Sequence, residues 1–327
     1  QQVGTLGAYA QMEWKPADRW SLLLGGRYDR VGIDGLYALD VEEFSNDQTF
    51  DIFVPRLTAK YDLTADLKLR LSYAQGYRTP QAFDEDLHIE TVGGAARFTR
   101  LDPGLEPKRS HSLNGSVDYT LRDGAFEASF VLDGFFTRLN NPFITANPVE
   151  LPSGVAVVTK RNGDGATVAG LNGEANLALS GDFILQLGGT VQMGRYDTTE
   201  EIWAPQAVTD ANQDSLITTD RLLRTPNVYG FATANWTPAD RLDLSLSGVF
   251  TGPMDVPHVI DPETEFTVIE NTPAFFELNF KVSYEIPFTE QFHLDLFAGV
   301  QNIFNSYQED FDVGADRDAG YIYGPAR

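Results

Sequence analysis

Hydrophobic and polar residues alternate along most of this chain with a period of two. The clearest run covers residues 276–286. One side of this run carries Phe276, Leu278, Phe280, Val282, Tyr284 and Ile286, and the other carries Glu277, Asn279, Lys281, Ser283 and Glu285. Successive side chains of a β-strand point to opposite faces, so the pattern predicts a strand with one apolar and one polar face. A slip of one residue would move charges onto the apolar face, so the register is strongly specified.

Twelve segments share this alternation and are predicted to be strands. Their bounds are 3–16, 20–33, 51–64, 67–80, 110–122, 125–145, 166–180, 183–198, 226–238, 242–255, 274–286 and 292–306. Short turns alternate with long loops, which are predicted at 34–50, 81–109, 146–165, 199–225, 256–273 and 307–327. A transmembrane β-barrel has short turns on one side of the membrane and long loops on the other. Most of the predicted strands also reach the roughly 9–11 residues that cross a bilayer at a tilt.

Composition narrows the class of protein further. The chain has 327 residues, a formal charge of −23 and no cysteine, which excludes thiol chemistry and cysteine-ligated metals. Such an acidic balance argues against nucleic acid, because a phosphate backbone needs clustered lysine and arginine. No segment approaches the roughly 18 consecutive apolar residues of a transmembrane helix. The sequence therefore predicts an all-β protein, a transmembrane antiparallel β-barrel, with residues 1–327 forming one partial barrel domain.

Four short motifs resemble those of TonB-dependent outer-membrane receptors. Residues 72–80 (SYAQGYRTP) are similar to the strand of that family that ends in an aromatic-Arg-x-Pro signature, and residues 102–110 (DPGLEPKRS) to the segment that opens the following strand. Residues 26–29 (GRYD) and 299–305 (GVQNIFN) are similar to a strand end and to the penultimate strand of the family. Lys108 stands where the family usually has an acidic residue, and Glu106 where a basic one is common.

The resemblance implies a receptor of the bacterial outer membrane, in contact with its lipid. Such a receptor imports a scarce solute with energy relayed by TonB to an N-terminal plug domain. A family barrel has about twenty-two strands, so twelve would be present here. An open wall of twelve strands would have two edge strands, and leaving their unpaired backbone groups in lipid would cost too much free energy. We therefore expect the native protein to be longer, with a plug, earlier strands and a final strand that begins near Gly324.

Candidate cargo contacts lie in and beside the loop at 81–109. They are Arg78, Glu85, Asp86, His88, Arg97 and Arg100. The arginines would suit an anionic iron chelate such as a ferric siderophore. The alternative is a solvated loop whose charges pair among themselves.

A second candidate site is a calcium loop at residues 210–220. Asp210, Asn212 and Asp214 occupy positions 1, 3 and 5, as in the first half of a calcium-binding loop. The match is partial, because Ser215 replaces the usual glycine and the closing acid, Asp220, falls at position 11. The predicted function does not require a cofactor, and Ca²⁺ is the one ion for which the sequence offers a candidate site. The alternative is a polar surface loop with local Asx turns.

Other functions stay open at this point. A cobalamin or haem receptor of the same family, a passive porin-like channel and a barrel partner of a surface lipoprotein all agree with the pattern. No nucleophile elbow, Walker loop or paired metal-binding histidines occur in the sequence, so an enzyme is not expected.

Overall fold

The structure is a computed structural model that describes residues 2–39, 42–81, 97–145, 149–150, 156–205, 215–261, 264, 266–289, 291–314 and 317–325. In these residues the chain forms β-strands and no α-helix. No helix in this part of the chain could span a membrane.

Nineteen strands are formed by the residues that the structure describes. They are β1 (Gln2–Ala17), β2 (Trp20–Leu39), β3 (Glu42–Asp62), β4 (Leu67–Arg78), β5 (Arg97–Leu101), β6 (Lys108–Asp123), β7 (Phe126–Asn140), β8 (Phe143–Thr145), β9 (Val149–Glu150), β10 (Ala156–Asn162), β11 (Ala166–Ser180), β12 (Phe183–Trp203), β13 (Ile217–Arg221), β14 (Val228–Ala239), β15 (Leu242–Thr251), β16 (Asp255–Asp261), β17 (Phe266–Asn271), β18 (Phe275–Thr289) and β19 (Phe292–Val300).

Twelve long strands form one antiparallel sheet in the order β1-β2-β3-β4-β6-β7-β11-β12-β14-β15-β18-β19. They correspond one to one with the twelve predicted strands, so the predicted fold class is confirmed. Each long strand pairs with the next long strand along the chain, which is the up-and-down order of a barrel wall. Among the described strands, β1 and β19 are the two ends of this order.

Several predicted boundaries were wrong, and the strand predicted at 292–306 ends at Val300. The loop predicted at 34–50 is largely strand, because β2 and β3 continue as a hairpin up to the pair Leu39 and Glu42. The strand predicted at 125–145 ends at Asn140, where Asn141 adopts a left-handed φ of 53° and Pro142 follows. Proline cannot donate to a strand ladder, which explains why β7 stops there. Short strands also lie in or beside four of the other predicted long loops, namely β5, β8–β10, β13 and β16–β17.

One face of the large sheet carries a band of exposed apolar side chains. On β12 this side runs from Phe183 to Met193, a length that fits the roughly 9–11 residues of a tilted membrane strand. Exposed Trp14, Trp20 and Trp236 lie beside the short turns, where an aromatic girdle is expected. The same face becomes polar at the long-loop end, where ion pairs join Arg30 to Asp51, Arg138 to Asp197 and Arg195 to Asp220.

The opposite face of the sheet is polar. Side-chain hydrogen bonds run across it from strand to strand, with Ser112 and Thr137 at 3.0 Å and Thr190 donating to Asn172 at 2.8 Å. An apolar outer face and a polar inner face are what a barrel in a bilayer requires. We refer to the polar side as the luminal face.

Candidate functional site

Two of the sequence motifs meet at the long-loop end of the sheet. Asp29, in β2, has no exposed surface. Its carboxylate accepts hydrogen bonds from Arg27 Nε, at 2.7 and 2.9 Å, and from the Tyr77 hydroxyl, at 2.8 Å. A buried charge is tolerated only when it is paired and hydrogen-bonded. The Tyr77 hydroxyl therefore joins the end of β4 to β2.

A glycine makes room for this ion pair. Gly7 of β1 lies directly opposite Asp29. A Cβ atom added at Gly7 would stand 2.2 Å from Asp29 Oδ1 and 2.9 Å from Arg27 Nη2. The bare backbone of Gly7 thus allows the Arg27–Asp29 pair to lie across β1.

The two loops that follow β4 and β7 are built into one small sheet, which we call the loop sheet (β5, β8, β9 and β10). β10 pairs in parallel with β5 and antiparallel with β8 and β9. Leu101, Leu105 and Val157 are buried within this part of the molecule. Lys160 is also buried, and its Nζ donates to the Gln81 carbonyl at 3.2 Å. Residues about 60 positions apart in sequence therefore form one folded unit.

Asn162 fastens the loop sheet to the segment that precedes β6. Its Oδ1 accepts from the Glu106 amide at 2.8 Å, and its Nδ2 donates to the carbonyls of Glu106 and Asn141 at 3.0 and 3.1 Å. Asn141 Nδ2 in turn donates to Glu106 Oε2 at 2.9 Å. One asparagine side chain thus satisfies backbone groups from both loops.

The predicted cargo contacts are only partly brought together. Arg78 ends β4 opposite Lys108, and Arg97 starts β5 opposite Ala156. Arg100 is exposed, and its Nη2 reaches Thr159 Oγ1 at 3.4 Å. Glu85, Asp86 and His88 lie outside the described residues. All six remain predictions as ligand contacts.

Sequence reasoning missed the part of this surface that comes from the other loop. Arg100 pairs with Thr159, and Arg161 lies two residues further along β10, so Arg100 and Arg161 share a face. Both side chains are exposed. The apolar run Val155–Val158 was the available signal for β10, but its parallel pairing with β5 leaves no local mark in the sequence.

The predicted calcium site is also only partly described. Asp210, Asn212 and Asp214 lie outside the described residues. Asp220 belongs to β13 rather than to a loop, and its Oδ2 lies 2.5 Å from Arg195 Nη1. A calcium ion at Asp220 would have to compete with this guanidinium group, and calcium binding stays a prediction. In the described part of the chain, no three His, Asp or Glu residues are grouped closely enough to hold a metal ion.

A cavity of about 410 Å³ lies beside β13, between β12 and the β16–β17 hairpin. Arg195, Arg221 and Asp255 line it. Arg221 pairs with Asp255 at 3.2 Å, and Asn271 donates to the other oxygen of Asp255 at 2.9 Å. The charges that face the cavity are therefore balanced within the protein.

Residues 306–314 and 317–325 pack against the β16–β17 hairpin, and we call them the C-terminal cap. Tyr321 and Tyr323 are buried with Val256 and Phe275. The Tyr321 and Tyr323 hydroxyls both donate to Asp310, the former at 3.0 Å. Burial raises the pKa of the Asp310 carboxyl, but these hydrogen bonds outweigh it and hold the pKa below its usual range. Burial, followed by the hydrogen bond to Asp310, raises the pKa of Tyr323.

His258, which lies in β16, is held inside this contact. Its ring stacks on Tyr321 with centroids 3.6 Å apart, and its Nε2 lies 3.1 Å from Asp312 Oδ2. Asp312 also accepts from the Asp318 amide at 3.0 Å, and Asp318 accepts from the Val259 amide at 2.9 Å. The His258 ring is therefore part of the packing between β16 and the C-terminal cap.

Comparison with protein families gives a match over residues 1–303 to the model described as "TonB dependent receptor-like, beta-barrel". No curated protein matches the chain.

Three solved structures illustrate the likeness of fold. The haemophore receptor HasR of Serratia marcescens, solved with its haemophore HasA and haem, is 18% identical with a TM-score of 0.65. FpvA of Pseudomonas aeruginosa, solved with a pyoverdine and iron, is 16% identical with a TM-score of 0.62. The copper transporter OprC is 14% identical with a TM-score of 0.62. Each alignment covers 93% of this chain but only 48%, 35% and 42% of the respective structure. The chain therefore spans between about a third and a half of these proteins.

Proposed function

Because this chain belongs to the TonB-dependent receptor family, we propose that it is part of an outer-membrane receptor that imports a scarce solute with energy supplied through TonB. The family match covers residues 1–303. The apolar outer band, bounded by tryptophans at the turn end and ion pairs at the loop end, supports a position across the outer membrane. Members of the family are receptors and transporters, so the protein is not an enzyme.

The cargo that we propose is a ferric siderophore. The observation that carries this choice is that Arg100 and Arg161 are both exposed on one face of the loop sheet. Their positive charges stand out because the chain as a whole has a net charge of −23. Two guanidinium groups on one face of the loop sheet suit the carboxylate or catecholate oxygens of an iron chelate, because arginine binds such anions in a bidentate manner. The structurally similar receptors carry pyoverdine with iron, haem or copper, so they do not by themselves favour one cargo.

Charge reversal at the two arginines tests the cargo. The full-length receptor carrying R100E and R161E should bind an anionic ferric siderophore at least about tenfold more weakly, since each lost charge-assisted contact is worth roughly 1.5 kcal/mol or more. R19E with R241E is the matched control, because both arginines lie in the short turns at the other end of the strands. Unchanged affinity in the first variant, across a panel of anionic chelates, would reject this surface as the cargo site.

The second candidate within the family is a haem or cobalamin receptor. The likeness to HasR favours keeping haem on the panel. A passive porin-like channel is the remaining alternative. Transport through such a channel needs no energy from TonB, unlike import by a receptor. Uptake that continues in cells without TonB would favour the channel.

A further inference from the structure

A row of basic and polar side chains crosses the apolar face of the sheet where the apolar band ends. Directly opposed residues of neighbouring strands point to the same side of a sheet. The register places one such row across β4, β6, β7, β11, β12 and β13, and we call it the cationic row: Gln75, His111, Arg138, Thr167, Arg195 and Arg221. Two residues nearer the short turns, the first five of these strands carry Tyr73, Leu113, Phe136, Ala169 and Met193. The side chains therefore change from apolar to cationic within two residues along each strand.

Arg195 and Arg221 keep most of their hydrogen-bond donors available. They lie directly opposite each other, and like charges in this position destabilise a sheet. Asp220 lies 2.5 Å from Arg195, and Asp255 lies 3.2 Å from Arg221. Within the residues that the structure describes, each arginine uses only its Nη1 group in these contacts, whereas a guanidinium group carries five N–H donors. The ion pairs thus balance charge but leave donors for another acceptor.

An apolar groove begins beside these arginines. Met193 lines both its upper part, of about 720 Å³, and the 410 Å³ cavity that Arg195 and Arg221 line. The lower part, of about 680 Å³, continues along the same strands, because Gly173 follows Leu171 by two residues on β11. We call the two parts together the apolar groove.

Glycines form the floor of the apolar groove. They are Gly115, Gly134, Gly173 and Gly189. A Cβ atom added at Gly173 meets no described atom within 4 Å, and one at Gly115 makes only ordinary contacts, from 3.8 Å. The floor is therefore open where neighbouring positions carry leucine, valine or phenylalanine.

The apolar groove has the depth of one lipid leaflet. Met193 lies at its upper end and Leu187 at its lower end, six residues apart on β12. Six residues of strand cover about 20 Å, and a tilt of about 40° reduces this to a depth of about 15 Å. The hydrocarbon core of a bilayer is roughly 30 Å thick. A ligand that starts at the cationic row and fills the groove thus has the dimensions of one acyl chain.

We propose that the apolar groove and the cationic row together bind one phosphorylated lipid of the surrounding leaflet, with an acyl chain over Gly115 and Gly173 and the phosphate on Arg195 and Arg221. Arginine binds phosphate oxygens in a bidentate manner, and a phosphate between two opposed cations removes their repulsion. Basic pockets at the membrane surface bind lipid headgroups in this way. A second copy of the chain, related by a two-fold axis along the membrane normal, would bring a second cationic row to the same depth, so like charges would meet. The inference goes beyond the proposed function, because it concerns the face in contact with lipid and not the cargo.

Native mass spectrometry of the full-length receptor, released from detergent micelles, tests the phosphate contacts. It counts bound lipids and distinguishes them from a second copy of the chain by mass. The probes are dioleoyl phosphatidic acid, which carries a phosphate monoester, and dioleoyl phosphatidylcholine, which has the same acyl chains and no net charge. R195Q with R221Q removes the two proposed contacts. R56Q with R122Q is the matched control, because both of these arginines lie on the luminal face.

Filling the floor tests the apolar groove separately. G115L with G173L adds two side chains on the lipid side and keeps both arginines. G4L with G32L is the matched control on β1 and β2, because a Cβ atom at either glycine meets no described atom within 4 Å. The mobility of unheated protein on a gel checks that each variant assembles its barrel.

The unaltered receptor should retain more phosphatidic acid than phosphatidylcholine. R195Q with R221Q should weaken retention of phosphatidic acid about tenfold, through lost charge-assisted hydrogen bonds, and leave phosphatidylcholine unchanged. G115L with G173L should weaken retention of phosphatidic acid at least about threefold, through lost dispersion contacts. Both control variants should behave like the unaltered receptor.

Three results would overturn the proposal. The first is equal retention of the two lipids, and the second is retention of phosphatidic acid that either R195Q with R221Q or G115L with G173L leaves unchanged. The third is a dimer that G115L with G173L abolishes, which would assign the apolar groove to a second copy of the chain. A receptor that retains phosphatidic acid as expected but imports no chelate would refute the proposed function and leave this inference standing.

Discussion

The Tyr77 hydroxyl donates a 2.8 Å hydrogen bond to Asp29, a carboxylate with no exposed surface. These two residues are 48 positions apart, and each belongs to a motif that resembles the receptor family. Their contact explains in physical terms why an aromatic residue with a hydroxyl follows Gly76, and why an acid ends the Gly-Arg-Tyr-Asp segment. The hydrogen bond ties the end of β4 to β2, beyond the last β3–β4 pair, which is Arg56 and Ala74.

Replacing Tyr77 with phenylalanine should destabilise the barrel by about 1–3 kcal/mol, because a buried carboxylate loses one of its donors. The free energy of unfolding in denaturant, measured on the purified receptor, checks this. Y9F is the control, since Tyr9 is 80% exposed on β1 and its hydroxyl takes part in no described hydrogen bond. Equal stability of Y77F and Y9F would show that Asp29 does not depend on Tyr77.

Gly7→Ala should also be destabilising, by roughly 1–3 kcal/mol, because the added methyl group overlaps the Arg27–Asp29 ion pair. G4A is the matched control on the same strand. A Cβ atom at Gly4 meets nothing within 4 Å, and alanine at such a site is neutral or slightly stabilising. The comparison uses the same unfolding measurement, and a G7A variant as stable as G4A would contradict the packing described for β1.

Asn162→Ala should separate the two long loops without unfolding the barrel. It removes the hydrogen bonds to Glu106 and Asn141, so amide exchange in β5 and β10 should increase about tenfold or more, at roughly 1 kcal/mol for each bond lost. N176A is the control, because Asn176 makes one 3.5 Å contact on the luminal face. If β5 stays as protected in N162A as in N176A, the loop sheet does not depend on this side chain.

Acidification should loosen the C-terminal cap. The folded-state pKa of Asp310 is lowered, so the ionised carboxylate stabilises the folded cap at pH values above the usual carboxyl pKa of about 3.9. This stabilisation is lost as the pH falls through the lower folded-state pKa. Local opening of the C-terminal cap, measured by hydrogen exchange and corrected for the intrinsic effect of pH, should rise below about pH 4. D310N should be looser at neutral pH and should lose most of this pH dependence. A cap with the same pH profile in D310N would assign the effect to another carboxylate, such as Asp312 or Asp318.

The large sheet was predictable because each of its strands carries its own signal. Alternation in residues 276–286 fixes both the strand and the face that it presents, and neighbouring strands then pair in chain order. The hairpin at 34–50 was not predicted because its outer part extends beyond the apolar band. Outside this band, apolar and polar residues no longer need to alternate along a strand. The end of β7 was available from Asn141 and Pro142, which are both unfavourable inside a strand.

The candidate site was less predictable, because it depends on contacts between distant segments. Arg100 could be named from its loop, but its neighbours Thr159 and Arg161 come from a loop about 60 residues away. Likewise, nothing near Asp220 in the sequence indicates that Arg195 is its partner.

The most direct test of the account is energy-dependent accumulation of radiolabelled ferric siderophores by cells that express the full-length receptor, with and without TonB. We expect accumulation of at least one anionic ferric siderophore in cells with TonB, its loss in cells without TonB, and a strong reduction in the R100E and R161E variant. Accumulation that is the same in both strains, or the absence of uptake for every siderophore, haem and cobalamin offered, would contradict it.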